Sequence, residues 1–332
     1  MVMTRTPLRV SFIGGGTDLP AFYNTHPTGG AVVSAAISKY VYVTVSRKFD
    51  FDVRLSYSRT ENVVRASELQ HPIVRACLDL LGIENRVEIT TVADVPAGTG
   101  LGSSSSFTVG LLNALHQFKY KIAATPEWLA TMACRIEIEE LGEPIGAQDQ
   151  YIAAYGGIKY FKFYEHNVNV MTVYVDPEFF NNQCVLIYTG RTRLASTILA
   201  EQSKISRRNK RLAEMRKLVP EFVIAAQMDR IQEVGSLVNA GWALKRSLVK
   251  KISSSSIDDL ISSWNGRPGV FGAKLLGAGG EGFVLVLMEA REKQKLPTEW
   301  STNPEANRQH IFDVKFGVAG SEVVFNDEPA RV

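Results

Sequence analysis

The stretch from Val95 to Phe107 reads Val-Pro-Ala-Gly-Thr-Gly-Leu-Gly-Ser-Ser-Ser-Ser-Phe, and its chemistry is that of an anion cradle. It follows a strand-like run containing Val87, Ile89, Thr91 and Val92. Gly98, Gly100 and Gly102 admit backbone conformations that a Cβ forbids. The serines, beginning with Ser103, Ser104 and Ser105, then open a helix whose apolar positions Val109, Leu112 and Leu115 recur at helical spacing. A helix start of this kind aims unpaired N–H groups and hydroxyls at one point, where the positive end of the macrodipole favours a phosphate. Two other glycine loops are excluded. A P-loop needs a lysine directly after its last glycine, and none follows before Lys119; a Rossmann fingerprint needs G-x-G-x-x-G, whereas the spacing here is G-x-G-x-G and another helix comes next. From these residues alone, a glycine-rich connector ending in a serine-rich cap remains the alternative.

Acids and arginines at other turns could complete a site. The strand-like run Pro7–Ile13 contains Arg9 and ends at Gly14-Gly15-Gly16, followed by Thr17-Asp18. Both charges could face a pocket, although an Asp after glycines is also an ordinary turn residue. Thr125 and Pro126 mark a helix start, and the helix is expected over Trp128–Leu141 with a buried stripe of Leu129, Met132, Ala133 and Ile136. Glu137 extends that stripe. A carboxylate there must be paired or must hold a metal, because burying an isolated charge is costly; Glu139 and Glu140 are expected to turn into solvent. Asp149 follows a loop with two glycines and a proline, where its simplest reading is a helix cap. Arg191 and Arg193 lie just past a strand expected over Gln183–Tyr188 and could grip a phosphate or carboxylate, though exposed loop arginines usually do nothing specific.

Pro96-Ala97-Gly98-Thr99-Gly100-Leu101-Gly102-Ser103-Ser104-Ser105 resembles the second motif of the GHMP small-molecule kinases, which include galactokinase, homoserine kinase and mevalonate kinase. The resemblance implies that Pro96, Gly98, Gly100, Leu101, Gly102, Ser103, Ser104 and Ser105 wrap the phosphates of ATP. The segment from Arg9 to Asp18 is similar to the first motif, implying that Arg9 supports the catalytic site and that Gly15, Gly16, Thr17 and Asp18 bind the acceptor sugar. Galactokinases carry Gly-Glu-His-Thr-Asp where this chain has Gly14-Gly15-Gly16-Thr17-Asp18. The triple glycine resembles instead the D-glycero-D-manno-heptose 7-phosphate kinases and their fucokinase relatives, which phosphorylate a sugar at its anomeric hydroxyl.

By the same resemblance Asp149, in a Gly-x-x-Asp-Gln element, is the catalytic carboxylate. Glu137, twelve residues earlier, is a Mg²⁺ ligand together with Ser104. Arg193 matches a Thr-Gly-x-x-Arg pattern of the heptose kinase branch, which implies that it holds the sugar's own phosphate. Phe271 to Phe283 resembles the third motif, a glycine loop packed near the nucleotide loop, with Gly279 among the substrate-binding residues; Glu281 stands where the family more often has glycine. The implied architecture is α+β in two domains, 1–178 resembling ribosomal protein S5 domain 2 and binding ATP, and 179–332 ferredoxin-like. The implied cofactors are ATP and Mg²⁺, and the implied substrate is a sugar phosphate. The rivals are a galactokinase- or fucokinase-like kinase of a neutral sugar and a non-catalytic sugar-sensing protein of the same fold.

The remaining sequence supplies scaffold. Strands are expected over Ala31–Val45, Phe51–Tyr57, Ile158–Phe163, Val168–Val175, Val284–Leu287, Val314–Val318 and Glu322–Phe325, and helices from Pro72 to Leu81, through the basic stretch around Lys204 to Lys217, and over Ile231–Leu248. The 332 residues suffice for two cores, and a net charge of +3 is too small to argue for nucleic acid. The basic helical stretch lacks interleaved aromatics and reads as a solvated face. Cys77, Cys134 and Cys184 are far apart and read as buried thiols, and the histidines form no metal-binding pattern. The apolar run Val10–Ile13 is too short for a signal sequence or a membrane span. These features lead to the expectation of a cytoplasmic protein with no nucleic-acid or membrane partner and no structural metal, and leave a homodimer open.

Overall fold

The alternating β-branched residues near the N-terminus form two long antiparallel strands, β1 (Val2–Ile13) and β2 (Gly30–Arg47). They are the centre of a computed structural model that describes residues 1–191, 196–206, 209–296 and 310–327. Short strands β3 (Val53–Ser56), β4 (Thr60–Val63) and β5 (Val87–Ala93) follow, and β6 (Ile158–Tyr164) and β7 (Asn167–Thr172) form a hairpin. The sheet runs β12-β1-β2-β5-β3-β4, where β12 is Glu322–Asn326, and β6 pairs with the first part of β2. The chain's last described strand thus returns to the edge of the first sheet. One face of this sheet is covered by the helix Ser103–Tyr120, which is buried along most of its length, its polar Ser105, Ser106, Thr108, Asn113 and Gln117 included.

The second sheet is antiparallel, with the order β11-β8-β10-β9 for β8 (Cys184–Tyr188), β9 (Val270–Leu275), β10 (Phe283–Met288) and β11 (His310–Phe312). Helices separate β8 from β9, and the helix Ala290–Lys293 separates β10 from β11, which gives the βαββαβ order of a ferredoxin-like unit. The architecture is therefore α+β, with one core under the first sheet and another enclosed by the second.

Several expected elements differ in detail. The helix expected over Trp128–Leu141 is α-helical over Pro126–Cys134 and becomes a π turn over Arg135–Glu140. The basic helical region is two helices, Ser196–Ser206 and Lys210–Gln227. Phe271–Leu275, read as the start of a glycine loop, lies within β9, and of the strand expected over Val314–Val318 only Phe316 pairs, through an isolated bridge to Ile37. Cys77 and Cys184 are buried and Cys134 half-buried, and all are free. No helix among the described residues is long and apolar enough to cross a membrane.

The helix Ile231–Arg246 reaches β9 through a contact between two backbones. A Cβ on Gly235 would lie 2.5 Å from Cβ of Phe271, and one on Gly272 would lie 2.3 Å from the Gly235 carbonyl oxygen. Neither neighbour can rotate away, because both are attached to the main chain. Gly235→Ala is expected to destabilise the protein by about 1–3 kcal/mol, the usual cost of overpacking. Urea unfolding tests this, and an unchanged midpoint would show that the two elements separate freely.

Candidate active site

The cradle and the acidic loop meet at one arginine. Arg9 lies on β1 and is only 5% exposed. Its Nε donates to Asp149 Oδ1 at 2.7 Å and its Nη2 to Asp149 Oδ2 at 2.6 Å, while Nη1 donates to the Gly100 carbonyl oxygen at 2.6 Å. The Arg9 backbone N–H donates to the Leu101 oxygen at 3.0 Å, so strand and cradle are joined twice. Asp149 is the second residue of the helix Gln148–Tyr155, and its carboxylate is committed to Arg9 rather than to capping its own helix. Gly102 ends the cradle in the left-handed conformation, with φ 77°, directly before the helix Ser103–Tyr120. A Cβ there would sit 3.1 Å from Asp149 Oδ2, so the acid stands at the mouth of the cradle, beside the helix N-terminus.

Glu137 is 1% exposed. The π turn carries it: Leu141 N–H donates to the Ile136 oxygen at 3.0 Å, a step of five residues that shifts the helix face at a position where such bulges recur in functional sites. Ser104 Oγ donates to Glu137 Oε1 at 3.1 Å, and Gln150 Nε2 donates to Oε2 at 2.7 Å. Gln150 Oε1 is buried without a partner. A hydroxyl, a carboxylate and an orphaned amide oxygen form an all-oxygen donor set, which suits Mg²⁺, an ion that keeps several waters and takes few protein ligands. Among the described residues no three His, Cys, Asp or Glu side chains gather into a metal site. Burial pushes the Glu137 carboxyl up to about 7, against the hydrogen bonds from Ser105, Gln150 and Ser104, and the charge of Asp149 adds to the rise. Glu139 and Glu140 are exposed, as expected.

The acceptor side is built from the turn after β1. Asp18 is 2% exposed, and its Oδ1 accepts from Gly16 N–H at 2.7 Å and its Oδ2 from Gln148 N–H at 3.3 Å. Burial raises its pKa despite these donors. Thr17 Oγ1 donates to the Gly14 and Ala31 oxygens, each at 2.8 Å, and so holds the turn itself. Arg9, Gly16, Asp18, Gly98, Gly100, Gly102, Ser103, Ser104, Ser105, Glu137 and Asp149 line one cleft. Leu101 and Thr17 are buried beneath it, and Pro96 starts the cradle with its oxygen accepting from Thr99 Oγ1 at 3.1 Å.

The third glycine loop packs on the cradle, where a Cβ on Gly277 would lie 2.6 Å from Cα of Gly100. Gly277 and Ala278 line the cleft, whereas Gly279 packs on the Ile252 backbone. Arg193 lies outside the described residues. Glu281 is within 3.5 Å of Arg191.

Six further residues of the cleft carry polar groups that the sequence does not single out: Ser11, Glu143, Gln148, Gln202, Lys245 and Lys274. Ser11 is two positions from Arg9 on the same face of β1. Lys274 Nζ donates to the Ser11 and Phe12 oxygens at 2.8 and 2.9 Å, and Lys245 Nζ to the Gly277 oxygen at 2.6 Å. Burial pushes the Lys245 ammonium down to about 8, with Asp18 opposing and Arg9 adding to the shift, and it pushes Lys274 well down. For Lys245 a signal existed in the sequence: it continues the apolar stripe of Val234, Val238 and Trp242, as Glu137 continues that of its own helix.

Residues 66–157 match the family described as GHMP kinases N terminal domain. Within the chain, this segment is a GHMP kinase N-terminal domain. The chain is 26% identical over 318 residues to the D-glycero-alpha-D-manno-heptose 7-phosphate kinase of Campylobacter jejuni, covering 89% of this chain and 91% of that protein. It is equally 26% identical over 340 residues to the galactokinase of Pyrococcus furiosus, covering 89% and 90%. The fold is that of the crystal structure of a D-glycero-D-manno-heptose 1-phosphate kinase from Bacteroides thetaiotaomicron, with a TM-score of 0.76, 20% identity, and 97% and 98% of the two chains covered.

The protonation of Glu137 has a measurable consequence. The carboxyl keeps its proton up to about 7 when folded but only to 4.5 when unfolded, so the folded state binds more protons between these values. The resulting stabilisation is complete below the unfolded pKa and is lost as pH rises through the folded one. Without nucleotide or metal, the melting temperature should therefore carry a downward component between about pH 4.5 and about pH 7 that Glu137→Gln removes. An identical pH profile for the variant would mean that Glu137 is ionised throughout.

Proposed function

We propose that this sugar kinase transfers the γ-phosphate of ATP to the anomeric hydroxyl of D-glycero-D-manno-heptose 7-phosphate, giving the 1,7-bisphosphate used in the cytoplasm to make nucleotide-activated heptose for surface polysaccharide. The observation that carries the reading is the position of Asp149, paired to Arg9 at the mouth of the glycine cradle, with Gly102 leaving 3.1 Å between a would-be Cβ and the carboxylate. Residues 1–178 would bind the nucleotide, and residues 179–332 would close the acceptor side through the third glycine loop and Lys245.

Phosphoryl transfer asks for alignment and charge neutralisation more than covalent chemistry. Mg²⁺ and ATP, when bound, supply the transferred group and most of the neutralising charge. The N–H groups around Gly98 to Ser105 orient the phosphates, and Ser104 with Glu137 would hold the metal. Asp18, fixed by two backbone donors, offers its carboxylate to sugar hydroxyls. Asp149 takes the proton of the attacking hydroxyl, and Arg9 orients that carboxylate through two hydrogen bonds. An anomeric hydroxyl is more acidic than an ordinary alcohol, so a base held by an arginine suffices. The 26% identity to a galactokinase supports a second reading, a kinase of a neutral hexose.

A coupled ADP-release assay over a panel of sugars and sugar phosphates separates the two readings. Heptose 7-phosphate should be the preferred acceptor, with turnover dependent on Mg²⁺; preference for galactose or fucose would favour the second. Asp149→Asn should lower kcat by about 10²–10⁴-fold, the range for loss of a general base, while nucleotide affinity stays within a few-fold. A variant that kept near-normal kcat would remove Asp149 from the chemistry.

A further inference from the structure

One end of the cleft gathers hydrogen-bond donors around a residue without a side chain. A Cβ on Gly15 would lie 3.2 Å from Ser11 Oγ, 3.4 Å from Gln148 Nε2 and 3.6 Å from Lys245 Nζ. Each of these groups has donor capacity left. Ser11 is 5% exposed and its hydroxyl has no partner in the protein. Gln148 Oε1 accepts from Ser34 Oγ at 2.9 Å, which fixes the amide with its Nε2 toward Gly15. Lys245 Nζ gives one hydrogen bond, to the Gly277 oxygen, and an ammonium has three to give. Lys245 is 8% exposed, and no carboxylate lies within salt-bridge distance of it among the described residues. The other cations of the cleft are committed, Arg9 to Asp149 and Lys274 to the oxygens of Ser11 and Phe12.

We propose that Lys245 Nζ, Gln148 Nε2 and Ser11 Oγ form the subsite that receives the phosphate already carried by the acceptor sugar, seated over the open face of Gly15. The proposal rests on the reading of the acceptor as a sugar phosphate. Three donors converging on one open face, with the nearest carboxylate, Asp18, already held by the N–H groups of Gly16 and Gln148, suit a group that only accepts. A sugar hydroxyl also has a proton to place, whereas a phosphate monoester presents charged oxygens to all three. The anion also compensates the buried ammonium, which has Asp18 and Asp149 near it but no direct ion pair. Gly15 is required because a methyl group would fill the space into which these donors converge. The subsite joins both halves of the chain: Ser11, Gly15 and Gln148 come from the first, and Lys245 comes from the helix Ile231–Arg246.

The test is calorimetric binding of D-glycero-D-manno-heptose 7-phosphate and of the unphosphorylated heptose to the full chain, without ATP, for the unmodified protein, Lys245→Met and Gly15→Ala. The unmodified protein should prefer the phosphorylated sugar. Each variant should shrink that preference about 10- to 100-fold, as expected for losing hydrogen bonds to a charged group, with affinity for an ATP analogue retained. Lys245→Met removes an unfavourably buried charge, and Gly15→Ala meets only side-chain atoms at 3.2 Å or beyond, so the two variants perturb folding by different routes. Equal loss of both sugars in either folded variant, or no preference in the unmodified protein, overturns the proposal. ADP release measured in parallel tests the substrate reading separately. Lys245-dependent binding without turnover of the heptose phosphate would uphold the subsite and reject the substrate, and turnover indifferent to Lys245 would do the reverse.

Discussion

The site depends on one buried guanidinium. Arg9 donates to both oxygens of Asp149 and to the Gly100 carbonyl, and its own N–H reaches Leu101. It therefore fixes three chain segments that are far apart in sequence: the first strand, the glycine cradle and the acidic loop. A planar, permanently charged fork suits this position because it satisfies a carboxylate bidentately and still has a donor for a carbonyl. Such a pair is a weak source of net stability, since desolvation consumes much of the Coulombic gain, but removing one partner leaves a buried charge uncompensated. The interaction is best understood as setting the direction of the Asp149 carboxylate.

Around this pair the cleft separates its charges by role. Glu137 sits behind the serines of the cradle, buried and protonated up to about 7, so it is poised to ionise when a cation arrives. Asp18 faces the opposite end, held by backbone donors. The second half of the chain contributes two buried lysines. Lys274 is consumed in binding carbonyl oxygens at the end of β1, which holds the first sheet against β9. Lys245 points its charge toward the acceptor end. Both depend on the close backbone packing of the helix Ile231–Arg246 against β9, where Gly235 and Gly272 leave no room for side chains.

The parts of this arrangement that are local in sequence could be read from it. The cradle announces itself through glycine spacing and a serine-rich helix start, and Thr125 does cap its helix, its side chain accepting from Trp128 N–H at 3.2 Å. Glu137 was visible as a carboxylate on an apolar stripe, although the π turn that directs it inward was not, because a shift from four-residue to five-residue hydrogen bonding leaves no compositional trace. The edge strands β4 and β11 are too short to show periodicity. β9 was hidden by glycines that serve close packing rather than a turn. The lysines were missed for a different reason: the contact between Lys274 and the end of β1 spans 263 positions, and only the fold brings it about. Asp149 could be read alone as a helix cap, and its partner decides otherwise.

The central claim is that the Arg9–Asp149 pair marks where the acceptor oxygen meets the terminal phosphate. A crystal structure with a non-hydrolysable ATP analogue, Mg²⁺ and heptose 7-phosphate tests it most directly. The account predicts the terminal phosphate against the N–H groups of Gly98 to Ser105 and the anomeric oxygen within about 3 Å of the Asp149 carboxylate. A triphosphate bound elsewhere, or an acceptor whose reactive oxygen points away from Asp149, would contradict it.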